Sequence, residues 1–287
     1  MTRAFVVFVL AAIAAIATLG CTRSEAKKKA APERIVSLSP STTEAVFAIG
    51  AGSLLVGRSR YCNHPPEVAK LPQVGGYVDP SLEAILGLRP DLVVGARGPA
   101  GNAITQQLEA RGVVTYFPET EKLAAIDDML LGLGEKTARM DGARAAVAKL
   151  HARIDETVTA VAKLPRPKVL LVFGLAPLSV AGPGSFADEM IAKAGGTNVI
   201  KEGGAYPTIG AERVLVLDPD VVVNAAMMEE NAAERLNANA PGWSAVRAVK
   251  EGRVRTIADE SVLRPGPRIG DGLALLARAI HPELPAQ

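Results

Sequence analysis

The sequence predicts an α/β protein of two Rossmann-like lobes joined by a single long helix, and three observations carry that prediction. Short apolar runs alternate with helical stretches in both halves of the chain. An amphipathic stretch of roughly six turns or more separates the halves. The stretch "YVDPSLEAILGLRPDLVV" at 77–94 returns as "YPTIGAERVLVLDPDVVV" at 206–223, a constant offset of 129 positions. Such alternation sets strands side by side, mainly parallel, with helices covering the sheet.

Residues 1–20 read as a signal peptide. A basic start precedes an apolar run from Ala4 to Leu19 and small residues before Cys21, the pattern of bacterial export. Thr18-Leu19-Gly20-Cys21 is similar to the lipoprotein signal, in which the Cys becomes the lipidated N-terminus, with Thr18 where Leu is usual. Residues 21–33 are charged and lack large apolar side chains, so they read as a flexible tether whose lysines favour an anionic membrane surface. With Cys21 carrying lipid, Cys62 is left alone and the fold must rely on its core. Apolar residues make up 48% of the chain, enough for that core, and a net charge of +2 gives no reason to expect nucleic-acid binding.

The N-terminal lobe spans 34–140. Ile35–Leu38 is a short strand; Pro40 and the Ser/Thr cluster then cap a helix that ends at Gly50. "LLVGRSRYC" is a second strand running into a loop, and the Pro/Gly-rich stretch that follows is irregular. Ser81 caps a helix to about Leu88, Pro90-Asp91 stops it, and "LVVGA" is a buried strand. A helix over Ile104–Gly112 and the strand "VVTYF" follow. From 141 to 164, Ala143, Val147, Leu150, Ile154, Val158 and Val161 recur at three- and four-residue steps, one apolar stripe on a linking helix that "PRP" ends. The C-terminal lobe, 165–287, opens with the strand "KVLLVFGL" and a helix whose Ser185 and Asp188 are spaced as a capping box. After the repeated stretch come a helix over Trp243–Lys250, the strand "RVRTI" and a last helix over Pro267–Ile280.

The apolar letters and the Pro-Asp stops of the repeat follow from shared architecture: both lobes need a helix, a stop and a buried strand. Tyr77 with Tyr206, and Glu83 with Glu212, do not follow from packing. Each Tyr lies in a Gly/Pro-rich loop, where no period demands a ring. Each Glu lies in a first helical turn, which the helix dipole favours by about 0.3–1 kcal/mol. Lobes joined side by side would turn the tyrosines towards one cleft and set the glutamates on equivalent outer surfaces. A ring on each wall suits a large flat ligand; matched outer carboxylates suit a twofold partner with basic residues.

The segments "RIVSLSPSTTE", "YCNHPPEVAKLPQVGGYVDPSLEAI", "LRPDLVV", "AGPGSF" with "AGGTNVI", "AYPTIGAERVL" and "RPGPRI" resemble the vitamin B12-binding, class III substrate-binding proteins of ABC importers, a group that includes haem and siderophore receptors. The resemblance runs from about Glu33 to the C-terminus. It implies an exported, monomeric receptor and no enzyme. A transported corrinoid such as cobalamin would sit between the lobes, with no resident cofactor or metal, and one glutamate per lobe, Glu83 and Glu212, would dock a dimeric permease. It implies ligand contacts at Tyr61, Tyr77, Phe173, Tyr206 and Arg268, with Glu260 a weaker match and Tyr where relatives carry Trp. Ala96, just before Arg97, stands where another Trp is found, which thins the aromatic wall.

Of the three histidines, His64 lies in the loop with Tyr61, within reach of a ligand or a corrinoid cobalt, whereas His151 and His281 read as surface residues. One such His does not make a metal-ion site. Tyr77 could instead ligate haem iron, and Arg97 or Arg268 could meet ligand carboxylates, phosphate or amides. Cys62 reads as a small buried thiol and Trp243 as a packing residue. "GLGEKT" at 132–137 lacks P-loop spacing. A metal-cofactor enzyme or a sensor module on the same scaffold is the alternative from another class.

Overall fold

The computed structural model describes residues 31–97, 101–226, 236 and 242–285. The leader and Cys21 lie outside the described residues. In the N-terminal lobe β1 (Ile35–Ser37), β2 (Leu55–Arg58), β3 (Leu92–Val94) and β4 (Val114–Tyr116) run parallel in the order β2-β1-β3-β4. In the C-terminal lobe β5 (Lys168–Leu175) pairs in parallel with β7 (Thr197–Asn198) and β8 (Val221–Asn224), and β9 (Val254–Thr256) follows β8. β6 (Leu178–Val180) folds back antiparallel on β5, a short hairpin the sequence pattern did not announce. The central strands β1, β3 and β8 are buried throughout, as continuous Val/Ile/Leu runs require when helices cover both faces.

The repeated stretch is repeated down to its hydrogen bonds. It forms α2 (Leu82–Gly87) in one lobe and α7 (Ala211–Leu217) in the other. Asp91 Oδ2 accepts the N–H groups of Glu33 and Arg34 at 2.9 and 3.0 Å, and the Asp91 N–H returns a bond to the Arg34 carbonyl at 2.9 Å. Asp220 Oδ2 accepts the Lys168 N–H at 2.7 Å, and the Asp220 N–H donates to the Lys168 carbonyl at 2.8 Å. The Arg34 guanidinium donates to the Leu88 carbonyl at 2.8 Å, and Lys168 Nζ to the Leu217 carbonyl at 3.1 Å. Each Pro-Asp is therefore more than a stop. Its carboxylate pins the entry of the lobe's central strand, and the cation at that entry satisfies a carbonyl orphaned at the preceding helix end.

Helix starts follow their capping residues. Ser39 precedes α1 (Pro40–Ala48) and accepts from the Thr42 N–H, and Ser81 precedes α2 and accepts from the Ala84 N–H. Ser185 caps α6 (Phe186–Lys193); Asp188 completes the box by accepting from the Gly184 N–H, one residue earlier than the usual partner. After β3, α3 (Gly101–Glu109) leads into β4. The helix read over Trp243–Lys250 is shorter, with α8 confined to Arg247–Lys250 and Trp243 buried in the turn before it.

The linking helix α5 runs Met140–Val161 and does not bridge the lobes alone. Against it pack α4 (Leu123–Thr137) and the last helix, α9 (Ile269–Ile280). One buried cluster runs from Ile35 and Leu92, through Leu130, Leu133 and Leu150, to Leu171 and Leu273 in the second lobe. The sequence pattern hid α4 because Gly132 and Gly134 sit inside it, where each costs about 1 kcal/mol against Ala. Close approach explains both. A Cβ on Gly132 would lie 2.1 Å from the Tyr116 hydroxyl, and one on Gly134 would lie 2.5 Å from the Ala143 Cβ of α5. His281 corrects an expectation: it is 3% exposed, packed beneath Gly195, and not a surface residue.

Candidate functional site

The N-terminal wall is built by the loops that leave β2, β3 and β4. At 75–80 the chain makes a tight turn, with Gly75 at φ 102 and an antiparallel bridge from Gly75 to Pro80. Gly76 must be bare: a Cβ there would strike Asp79 Oδ1, Arg60 Nη1 and the Tyr61 ring. Those three groups form one unit beneath the turn. Arg60 makes a two-pronged pair with Asp79 at 3.1 and 2.7 Å and lies 5.7 Å from the Tyr61 ring centroid. The turn presents Tyr77, half-buried, whose hydroxyl donates to the Arg97 carbonyl at 2.9 Å. The Arg97 guanidinium is largely exposed and faces Glu119 at 3.8 Å.

The C-terminal wall is Phe173, on β5, and Tyr206, on the loop before α7. Their rings meet edge to face with centroids 5.7 Å apart. Tyr206 is 49% exposed, and its hydroxyl crosses to the other lobe to donate to Glu121 Oε2 at 3.0 Å. Tyr77 also lies within the electrostatic reach of Glu121 and Glu119. Tyr206 thus bonds to Glu121 while Tyr77, bonded to the Arg97 carbonyl, feels the same carboxylate's charge. Burial first, and then the Glu121 charge, raise both phenol pKa values and hold the hydroxyls protonated.

A second polar cluster crosses between the lobes. Arg268 donates to both oxygens of Glu44, at 2.9 and 2.8 Å, and Glu44 is buried in α1. Arg264 stands 3.5 Å from Glu44, pairs closely with Glu260, and donates to Asn63 Oδ1 at 2.7 Å. Asn63 completes the ring by donating to Glu260 at 2.9 Å. His64 neighbours Asn63 and lies within electrostatic reach of Asp259. Cys62 is 1% exposed, accepts from the Thr43 hydroxyl at 3.0 Å, and has its thiol pKa raised by burial. Among the described residues, no group of three or more His, Cys, Asp or Glu is placed to hold a metal ion, and no helix is long and apolar enough to cross a membrane.

The structure brings Tyr77 and Tyr206 to one site, with Phe173 against Tyr206 and Arg97 beneath Tyr77. It sets Tyr61 and Glu260 beside the second cluster, and it gives Arg268 a buried carboxylate partner. Glu83 and Glu212 are both exposed, on the first turns of α2 and α7. Sequence reasoning missed Glu44, Asn63, Glu121 and Arg264. Glu44 closes the quoted "SPSTTE". Glu121 lies beyond the carboxyl end of β4, where open α/β sheets bind ligands; that position was the available signal.

Two α/β lobes, each with its own mainly parallel sheet, and a helical seam holding them are the architecture of a class III substrate-binding protein. Residues 35–260 match the model of the periplasmic binding protein family, and the chain belongs to that family. The vitamin B12-binding protein of Salmonella typhimurium is 32% identical over 202 residues, which cover 70% of this chain and 75% of that protein. Among solved structures, a periplasmic haem-binding protein from Pseudomonas aeruginosa is 34% identical at TM-score 0.79, covering 88% of this chain and 94% of its own. The periplasmic vitamin B12-binding protein of Vibrio cholerae is 25% identical at TM-score 0.75, covering 87% and 96%.

Proposed function

We propose that this protein is a non-enzymatic receptor that captures cobalamin or a related corrinoid between its lobes and delivers it to an ABC importer. The observation that carries this reading is the set of aromatic side chains from both lobes: Tyr61 and Tyr77 from one, Phe173 and Tyr206 from the other, the last two in edge contact at 5.7 Å. Rings on both walls suit the faces of a tetrapyrrole. Tyrosine hydroxyls, Glu121 and Asn63 offer acceptors and donors to peripheral amides. His64, Arg97, Glu260 and Arg268 complete the lining. The ligand is cargo, and no resident cofactor or metal is part of the reading.

Calorimetric titration with cyanocobalamin tests it, and one-to-one binding is the expected result. Tight haem binding with no heat for any corrinoid would overturn it. Haem is the second reading, favoured by the 34% identity to the haem-binding protein and by Tyr77 as an iron ligand. Against it, the Tyr77 hydroxyl is held protonated and engaged with the Arg97 carbonyl.

Docking falls to Glu83 and Glu212. They occupy equivalent exposed positions on equivalent helices, which fits a dimeric permease offering two matching basic sites. The protein acts as an exported monomer: residues 1–20 direct export, Cys21 carries lipid, and residues 21–33 tether the receptor to the outer face of the membrane. Palmitate labelling of the wild type but not of Cys21→Ser tests the anchor.

A further inference from the structure

We propose that Glu121 selects the ligand by charge, accepting N–H donors from a tetrapyrrole whose peripheral groups are amides and repelling one whose peripheral groups are carboxylates. The inference deepens the receptor reading and rests on it. Its basis is the pairing around the cleft. Four guanidinium groups there face carboxylates: Arg60 with Asp79, Arg97 with Glu119, Arg264 with Glu260, and Arg268 with Glu44. Glu121 differs. Its partner is the neutral phenol of Tyr206, at 3.0 Å, donated from the opposite lobe.

A neutral donor leaves the carboxylate charge uncancelled. Tyr77 feels that charge from its own wall, so the charge reaches both cleft tyrosines. A ligand seated among Tyr77, Tyr206 and Phe173 therefore meets a carboxylate acceptor whose hydrogen-bond partner is a neutral phenol. An amide N–H replaces the Tyr206 donor at little cost. A ligand carboxylate brings a like charge beside the exposed Glu121, and the repulsion strengthens as the seated ligand displaces water from between them.

The test titrates the purified full chain with two probes of one ring system, haemin with its two free carboxylates and its neutral diamide, with cyanocobalamin alongside. The wild type is expected to prefer the diamide by about tenfold or more, and added salt should narrow that ratio. Glu121→Gln should reduce the ratio to about twofold by gaining affinity for the diacid, and Glu121→Lys should invert it. Tyr206→Phe removes the cross-lobe bond but leaves the charge, so the preference should survive. A ratio that is the same in the wild type, Glu121→Gln and Glu121→Lys overturns the proposal. Failure of the corrinoid reading appears on a different probe, as porphyrin binding without cyanocobalamin binding, and the porphyrin ratio still decides the role of Glu121.

Discussion

The two lobes share a skeleton and differ in what is hung on it. Asp91 and Asp220 pin equivalent strand entries, Arg34 and Lys168 close equivalent helix ends, and both helices leave through a non-glycine residue in the left-handed region, Arg89 and Asp218. There the likeness stops. Asp218 and Asp220 both bind Arg247, whereas Arg89 is exposed. Tyr77 bonds to backbone of its own lobe; Tyr206 reaches across to Glu121. Glu212 has the exposed apolar neighbours Leu215 and Val216 on its helix, while Glu83 has the half-buried Leu86 and the exposed Gly87. Repetition holds each lobe together. Divergence in the partners of repeated residues falls at the positions proposed to meet the ligand and the permease.

That division can be broken at four points. The largest effect is expected from Glu83→Ala with Glu212→Ala: uptake in a transport assay should fall by about tenfold or more while ligand affinity stays unchanged. Lost ligand binding with normal docking on the permease would reverse the assigned roles. Next comes Glu44→Ala, which takes from Arg268 its two-pronged partner across the lobes. Breaking a buried pair from one side costs about 3–5 kcal/mol, so Tm should fall by roughly 6–12 °C; a change within 1 °C of zero would make the pair surface decoration. Tyr77→Ala and Tyr206→Ala should each weaken ligand binding by about 1–3 kcal/mol, read by titration, and a loss confined to one of them would assign the ligand to one wall. The smallest effect sharpens the skeletal comparison. Asp220→Ala should cost about 2 kcal/mol and Asp91→Ala about 1 kcal/mol in urea unfolding, because Asp220 alone also binds Arg247.

The same pair predicts a pH dependence. The Arg247 hydrogen bond holds the Asp218 carboxyl below its ordinary range. Asp220 ends below that range too, where burial pushes it up but the Arg247 and Lys168 bonds outweigh burial. A depressed folded-state pKa contributes stability above the unfolded value of about 3.9, and the contribution is lost as pH falls through the folded value. On acidification below about pH 4, Tm of the wild type should therefore drop more steeply than Tm of Arg247→Met. Parallel curves would show that Arg247 has no such role.

What the sequence made legible was whatever repeats or alternates. The Val-rich strands, the amphipathic stripe of α5 and the offset of 129 all express a period that a single chain displays. Helix α4 was illegible because its glycines answer to Tyr116 and Ala143, contacts that exist only after folding. The tyrosines stood out as rings in loops. Their partner Glu121 did not, because one carboxylate in a loop has no local signature and Tyr206 is 85 positions away. Glu44 and Arg268 are 224 positions apart for the same reason. His281 misled because a lone histidine near a chain end looks solvated, whereas α9 folds its end back beneath Gly195.

The buried cluster that runs unbroken from β1 to α9 has a consequence for how this protein can be taken apart. Two look-alike lobes invite the idea of two modules that could be expressed separately or exchanged between relatives. Severing the chain after α5 would strip the apolar face of α5 of its cover from α9 and leave neither piece with a complete interior. The lobes are therefore one folding unit in calorimetric terms, expected to melt in a single transition. Only the surface loops, and not the halves, are interchangeable parts.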